Sequence, residues 1–238
     1  SRRGGEVAPG AGGGADALAS SRSAGLIPPL VELVVREGEL PGFIPEYGDE
    51  FQAWDYLNHL FAIPEPAEER GYVSFIPLSV GGYTIKRKWF DEDATRRGEK
   101  YQPAPAGIAD LAEHVRVTMG LPAAEQLPTF RRIRYDLNLE SLRTGHVFGI
   151  FFDHSVILDG PMAELIQCEL EYIRTRSALR QAEAVVLEEL EEVARWLEQF
   201  LAAEGLSSER GVYSKLSFLR DAVAGRAIGA PAGERVRS

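Results

Sequence analysis

The segment YTIKRKWF (83–90), rich in aromatic and β-branched residues, reads as a strand with two distinct faces. Residues two apart in an extended strand share a face, so Thr84, Lys86 and Lys88 point one way and Tyr83, Ile85 and Arg87 the other. One face is therefore a ladder of cations. The segment 131–139 (RRIRYDLNL) repeats the pattern, with Arg132, Arg134, Asp136 and Asn138 opposite Arg131, Ile133, Tyr135 and Leu137. In 164–174 (ELIQCELEYIR), Gln167, Glu169 and Glu171 share a face against Ile166, Cys168, Leu170 and Tyr172. Two strands thus offer cations and a third offers paired carboxylates.

Alternation of period two, rich in β-branched and aromatic residues, continues at 31–36 (VELVVR), 72–76 and 146–157 (HVFGIFFDHSVI). Gly81-Gly82, Gly145 and Asp159-Gly160-Pro161 punctuate these runs as turns. The plan is predominantly antiparallel. Helical spacing marks 107–119, through Ile108, Leu111, Val115 and Met119, and 177–204, through Leu179, Val186, Leu190, Val193, Leu197 and Leu201. A third helix is expected over roughly 209–224, with Val212, Leu216, Leu219 and Val223 on its apolar side. The acidic run 188–192 reads as a solvated helix face. The expected fold is α+β: an antiparallel β-barrel of about eight strands with helices packed outside. Polar strand faces turned inward would line its lumen with both cations and carboxylates. Such a lumen suits a polyphosphate, and hard carboxylate oxygens suit Mg²⁺ or Mn²⁺.

The whole sequence bounds these expectations. Its 238 residues, 45% hydrophobic and 26% charged, suffice for one sizeable core. Residues 1–25 and 225–238, dominated by Gly, Ala, Ser and Arg, read as flexible tails around a folded unit at 26–224. A formal net charge of −10 works against a broad nucleic-acid footprint, although a small anionic ligand needs only local positive charge. The single cysteine, Cys168, cannot form an internal disulfide, and no stretch approaches 18 uncharged apolar residues. These features lead us to expect a cytoplasmic protein with no nucleic-acid or membrane partner, acting on a small molecule, with a homodimer allowed. His59, His114, His146 and His154 lack metal-ligand spacing and read as packing or surface groups. Trp54, Trp89 and Trp196 read as packing groups, and Gly81-Gly82 as a turn rather than a phosphate loop.

In their order, the segments YTIKRKW (83–89), TRRGEKY (95–101), FRRIRYDL (130–137), VFGIFFDHS (147–155) and LIQCELEY (165–172) resemble the CYTH superfamily of triphosphate tunnel metalloenzymes. YSKLSFL (213–219) is similar to that family's C-terminal helix. The resemblance implies a cationic β-tunnel and metal-dependent hydrolysis of an inorganic or organic triphosphate. It carries over Lys86, Lys88, Arg97, Arg132 and Arg134 as phosphate ligands, and Glu169, Glu171, Glu32 and Asp153 as ligands of Mg²⁺ or Mn²⁺. Lys86, Arg36 and Glu171 are the catalytic residues it implies. The family's first-strand signature, Glu-x-Glu-x-Lys, is matched only in part: Glu32-Leu33-Val34-Val35-Arg36 has Val34 at the middle carboxylate. A first strand between Glu46 and Tyr56 is an alternative, although FQAWDYL (51–57) is more similar to the family's next strand. The incomplete motif leaves open a second function, a non-catalytic tunnel-fold protein that binds a phosphorylated ligand or a partner protein. Nucleotide cyclisation ranks third, because no His-Phe pair precedes Glu32.

Overall fold

A computed structural model describes residues 32, 40–48, 51–90, 98–105, 107–176 and 182–229. The alternating segments form strands: β1 (Phe43–Pro45), β2 (Phe51–Ile63), β3 (Gly71–Pro77), β4 (Tyr83–Trp89), β5 (Gly98–Pro103), β6 (Glu125–Gln126), β7 (Phe130–Ser141), β8 (His146–Ile157) and β9 (Glu164–Thr175). They build one antiparallel sheet in the order β5-β4-β3-β2-β7-β8-β9. β1 pairs with β7 beyond the end of β2, and β6 pairs with β2.

The register aligns the polar faces across the sheet. Leu60, Ser74, Lys86 and Tyr101 form one row, and Ala62, Tyr72, Lys88 and Glu99 the next. Trp54, Arg134, Asp153 and Gln167 form a third, while Asp136, Phe151 and Glu169 lie side by side in a fourth. In a flat sheet of this order, β4 and β9 would stand about 24 Å apart, at about 4.8 Å per strand. Instead, Lys88 on β4 and Glu171 on β9 line the same cavity, so the sheet curls strongly on itself. Among the described residues no ladder joins β5 to β9, so the expected closed barrel is corrected to an open, curled sheet.

Helices cover this sheet on both sides. On the outer face, α2 (Glu183–Ala203) presents Val193, Trp196, Leu197, Phe200 and Leu201 at helical spacing to Leu137, Leu139, Phe148, Ile150 and Phe152. Also outside, the short helix α1 (Leu111–Glu113), continued by a wider turn at His114–Thr118, sets Val115 against Val73, Phe75 and Ile85. The third helix departs from the expected arrangement. α3 (Lys215–Val223) packs Leu216, Phe218, Leu219 and Ala222 against Leu60, Ala62 and Tyr72, which share the cavity-facing side of the sheet. It fills the concave side rather than covering the outside. Ser214 fixes its start, because the Ser214 hydroxyl accepts the Ser217 amide at 3.0 Å. Arg226 bonds Asp221 at 2.8 Å, and Ile228 packs against the same core, so ordered packing continues past residue 224.

Other expectations are corrected locally. Glu32, placed in a first strand by the alternation at 31–36, is helical and exposed, and the remainder of that segment lies outside the described residues. Glu189, in the acidic run, is buried: it accepts hydrogen bonds from Ser141 at 2.6 Å and Thr144 at 2.8 Å and contacts His146 at 2.7 Å. It anchors the β7–β8 turn to α2, a role hidden by the three neighbouring acids Glu188, Glu191 and Glu192. No helix among the described residues is long and apolar enough to cross a membrane.

Candidate functional site

A cavity of about 300 Å³ lies in the hollow of the sheet. One wall is the strand β4 with its neighbour β5. The Lys86 ammonium contacts Glu99 at 3.0 Å and donates to the Tyr101 hydroxyl at 2.6 Å, while Lys88 contacts the other Glu99 oxygen at 2.7 Å. Burial and the adjacent Lys88 bring Lys86 down to about 7, against the pull of Glu99. Burial also opposes charge on Lys88, but the Tyr72 hydroxyl and the Glu99 and Glu171 carboxylates outweigh it and hold Lys88 above the usual lysine range. Glu99 resists burial in turn and is held at about 2 by Lys86 and Lys88. The intervening Arg87 points outward, where it donates to the Tyr72 carbonyl at 2.9 Å and the Lys88 carbonyl at 2.7 Å. It braces the strand from behind.

The facing wall comes from β7, β8 and β9. Arg134 makes a two-pronged contact with Asp153, at 2.6 and 2.7 Å, and reaches Glu169 at 2.5 Å. Its guanidinium lies over the Phe151 ring, 4.5 Å from the centroid. Phe151 can adopt this position because residue 149 is glycine: a Cβ there would stand 2.3 Å from the Phe151 ring. Arg132 stacks on Tyr56 at 5.1 Å, and its nearest carboxylate contact is Asp153 at 3.7 Å. Asp136 accepts from the Trp54 indole at 3.0 Å. Burial raises Asp136 to about 6, with Arg134 opposing and Asp153 adding to the rise.

α3 closes the cavity from within. The Lys215 ammonium contacts Asp153 at 2.8 Å and Glu169 at 3.0 Å, and also donates to the Gln167 side-chain carbonyl. Burial opposes the charge of Asp153, but Lys215, Arg134 and Arg132 hold it at about 2. Glu169 is held well below the usual carboxylate range, with Lys215 and Arg134 overcoming its burial.

Two polar atoms in this cavity are buried without a hydrogen-bond partner among the described residues: the Arg132 Nε and the Asp136 Oδ1. One is an unused donor and the other an unused acceptor.

The structure brings Lys86, Lys88, Arg132, Arg134, Glu169 and Glu171 around this cavity. Asp153 lies behind Arg134 and is 1% exposed. Glu32 does not line the cavity, while Arg36 and Arg97 lie outside the described residues. Cys168 faces the outer core instead, and burial pushes its thiol up to about 12, which leaves it a packing group. The expected metal ligands do not form an ion site. Both oxygens of Asp153 and both of Glu169 already bind Arg134 or Lys215, leaving Glu171 apart from them. Among the described residues no three His, Cys, Asp or Glu side chains are arranged to hold an ion. The donor set therefore does not fit Mg²⁺ or Mn²⁺.

Lys215, Tyr101, Trp54 and Tyr56 are site residues that strand parity around the three decisive segments did not single out. Glu99 and Tyr101 alternate in GEKYQP, a signal diluted by neighbouring charges. Lys215 had no parity to reveal it, because it enters from a helix.

No protein-family model and no curated protein matches the sequence. Among solved structures, the chain is similar to the Schizosaccharomyces pombe Pct1 RNA triphosphatase in complex with the Spt5 CTD, at 10% identity and a TM-score of 0.34, covering 79% of this chain and 67% of that one. A structure of Pct1 without that partner gives 11% identity and a TM-score of 0.34, covering 80% and 64% respectively. A chain of the S. pombe Mediator head module gives 12% identity and a TM-score of 0.34, covering 77% and 90%. The chain thus spans about two thirds of the triphosphatase chains it matches.

Proposed function

We propose that the cavity binds a phosphate-bearing anion, a triphosphate or a short polyphosphate chain, in the hollow of the curled sheet. Arg132, Lys86 and Lys88 are its direct ligands, with Arg134 and Lys215 as fixed charges behind them. The observation that carries this reading is the buried Arg132 Nε, which has no acceptor. A buried donor left unpaired costs about 1–3 kcal/mol, and here it sits in a cavity also lined by Lys86, Lys88 and Lys215. An anion oxygen satisfies it, and a guanidinium presents parallel donors suited to phosphate. Stacking on Tyr56 holds that guanidinium in place before the ligand arrives.

Glu99 bridges Lys86 and Lys88 where an incoming phosphate oxygen would otherwise bind. It belongs to the edge strand β5, and its side chain is 29% exposed, so it has a path into water. Exchange of this carboxylate for phosphate leaves both ammonium groups paired. An incoming anion also favours the charged form of Lys86, which burial holds near 7.

Cleavage of the bound chain is the second reading, and Asp136 is what favours it. Its raised pKa and its Oδ1, which makes no hydrogen bond although the Arg134 Nε lies 3.9 Å away, suit a group that accepts a proton from water. The water oxygen would bond to the terminal phosphorus as the bond to the bridging oxygen breaks, and the shortened chain would depart with that electron pair. Positioning and fixed charge are what these residues offer to such a step, and no metal ion enters it.

Calorimetric titration of inorganic triphosphate into the full chain tests binding. Arg132→Gln is expected to weaken it at least tenfold. Equal affinity in that variant, or no binding to the wild-type chain, overturns the proposal. Phosphate release measured in parallel with Mg²⁺, Mn²⁺ or EDTA decides the second reading: release abolished by Asp136→Asn supports it, and no release under any condition removes it.

A further inference from the structure

Lys215 contacts carboxylates that the family resemblance would assign to a divalent ion. An ammonium group has three N–H donors and no acceptor. Those of Lys215 meet oxygens from three residues: Asp153 at 2.8 Å, Glu169 at 3.0 Å and Gln167. Its donors are therefore already committed to the protein.

This arrangement is built from several directions. Gln167 is oriented by its own amide, which donates to the Tyr213 carbonyl at 2.6 Å, so its oxygen faces the ammonium. The Tyr213 hydroxyl donates to Asp221 at 2.8 Å, tying that segment to α3. Lys215 opens α3 and is 6% exposed. A cation at a helix N-terminus is disfavoured by the helix dipole; two carboxylates and an amide oxygen offset this. Arg134 completes the cluster by binding the other oxygens of Asp153 and Glu169. Two buried carboxylates and two cations thus balance without any ion from solution.

We infer that Lys215 is a tethered replacement for a divalent cation: its ammonium fills the oxygen-lined position among Asp153, Gln167 and Glu169, and makes ligand binding in this cavity independent of metal. This deepens the phosphate-binding reading by assigning the fixed counter-charge of the same site. In that assignment Lys215 is a positioning residue. It holds Asp153 and Glu169, and through them Arg134, in the geometry that faces the ligand.

The test is Mn²⁺ binding, read by the electron paramagnetic resonance signal of the free ion, with no phosphate present. The wild-type chain is expected to leave the ion free up to millimolar concentrations. Lys215→Ala is expected to bind one Mn²⁺ per chain at least tenfold more tightly, and adding Asp153→Asn to that variant is expected to abolish the gain. A stoichiometric Mn²⁺ site of micromolar affinity in the wild-type chain overturns the inference, as does a folded Lys215→Ala chain that binds no better than wild type. Should Lys215→Ala fail to fold, Lys215→Met keeps the apolar stem while removing the charge, and the same outcomes apply. Triphosphate affinity of the wild-type chain in EDTA provides a variant-free arm. Affinity unchanged within about twofold on adding Mn²⁺ at a fixed free triphosphate concentration supports the inference, and a tenfold gain opposes it. Failure of triphosphate to bind at all would sink the phosphate-binding reading, while the Mn²⁺ titration would still decide the role of Lys215.

Discussion

Replacing Asp136 by Asn is expected to stabilise the protein at pH 8, although the residue lies in the candidate site. The folded chain raises this carboxyl from 3.8 to about 6, chiefly through burial. A group whose folded pKa is raised favours folding fully below its unfolded value and opposes it increasingly as pH rises through the folded value. The ionised side chain therefore carries a penalty that grows between pH 3.8 and about 6 and is complete above that. At 1.36 kcal/mol per pKa unit its ceiling is about 3 kcal/mol. Partial contact with solvent through the cavity reduces this to about 1–2 kcal/mol. Asparagine has nearly the same shape, and its carbonyl can still accept the Trp54 indole N–H that Asp136 accepts at 3.0 Å. For a chain of this size, that gain corresponds to a rise in Tm of about 2–8 °C. Thermal unfolding of both chains at pH 8 and pH 4 measures it, with most of the difference vanishing at pH 4. A variant no more stable than wild type at pH 8, or equally stabilised at both pH values, would refute the reasoning. Stability gained together with loss of ligand handling would mark Asp136 as a strained functional group.

The buried network makes further outcomes measurable. Asp153→Asn removes the charge that pairs with Arg134 and Lys215, and denaturant unfolding at pH 7 is expected to show a loss of about 3–5 kcal/mol. Because Asp153 is held at about 2, its contribution is present above pH 3.8 and disappears as pH falls through 2. Lys86, held at about 7, is expected to take up close to one proton when triphosphate binds at pH 8. Binding heats in buffers of different ionisation enthalpy count that proton, and a count of zero contradicts the assignment. Gly149→Ala places a methyl 2.3 Å from the Phe151 ring and displaces the platform beneath Arg134. Unfolding is expected to show a loss of about 1–3 kcal/mol, and triphosphate titration a weaker affinity.

The faces of the strands were legible because period two survives any amount of sheet curvature. Lys86 with Lys88, Arg132 with Arg134, and Glu169 with Glu171 each fall on the cavity side, as their alternation requires. How far the sheet curls was not legible, since curl depends on strand order and twist summed over β4 to β9. Nor was the fate of the carboxylates. Strand parity places Glu169 at the cavity without revealing that Arg134 and Lys215 use its oxygens. The apolar spacing of Leu216 and Leu219 identifies α3 as amphipathic, but a single apolar stripe packs equally well inside or outside a curled sheet. Only the tertiary arrangement decides that Lys215 enters the site. Glu189 failed in the same way: its sequence neighbours are acidic, whereas the partners that bury it come from the β7–β8 turn.

Arg132 has a donor free for an incoming anion, but Lys86 and Lys88 are already paired, so an anion reaches them by exchange, and exposure decides where. Asp153 has a side-chain exposure of 0% and is held by Arg134 and Lys215, so it has no route to water. Glu99 differs in being 29% exposed on an edge strand, with Lys86 and Lys88 as its two cationic partners. The entering phosphate therefore competes with Glu99 rather than with Asp153 or Glu169. Glu99→Gln removes that competing charge while preserving the size of the side chain and its capacity to accept a hydrogen bond. Triphosphate affinity is expected to rise about tenfold, or about 1.4 kcal/mol, with a smaller effect at high salt because the change is one of charge. Loss of affinity in Glu99→Gln would instead mean that Glu99 holds the lysines in their binding geometry and moves little when the ligand arrives.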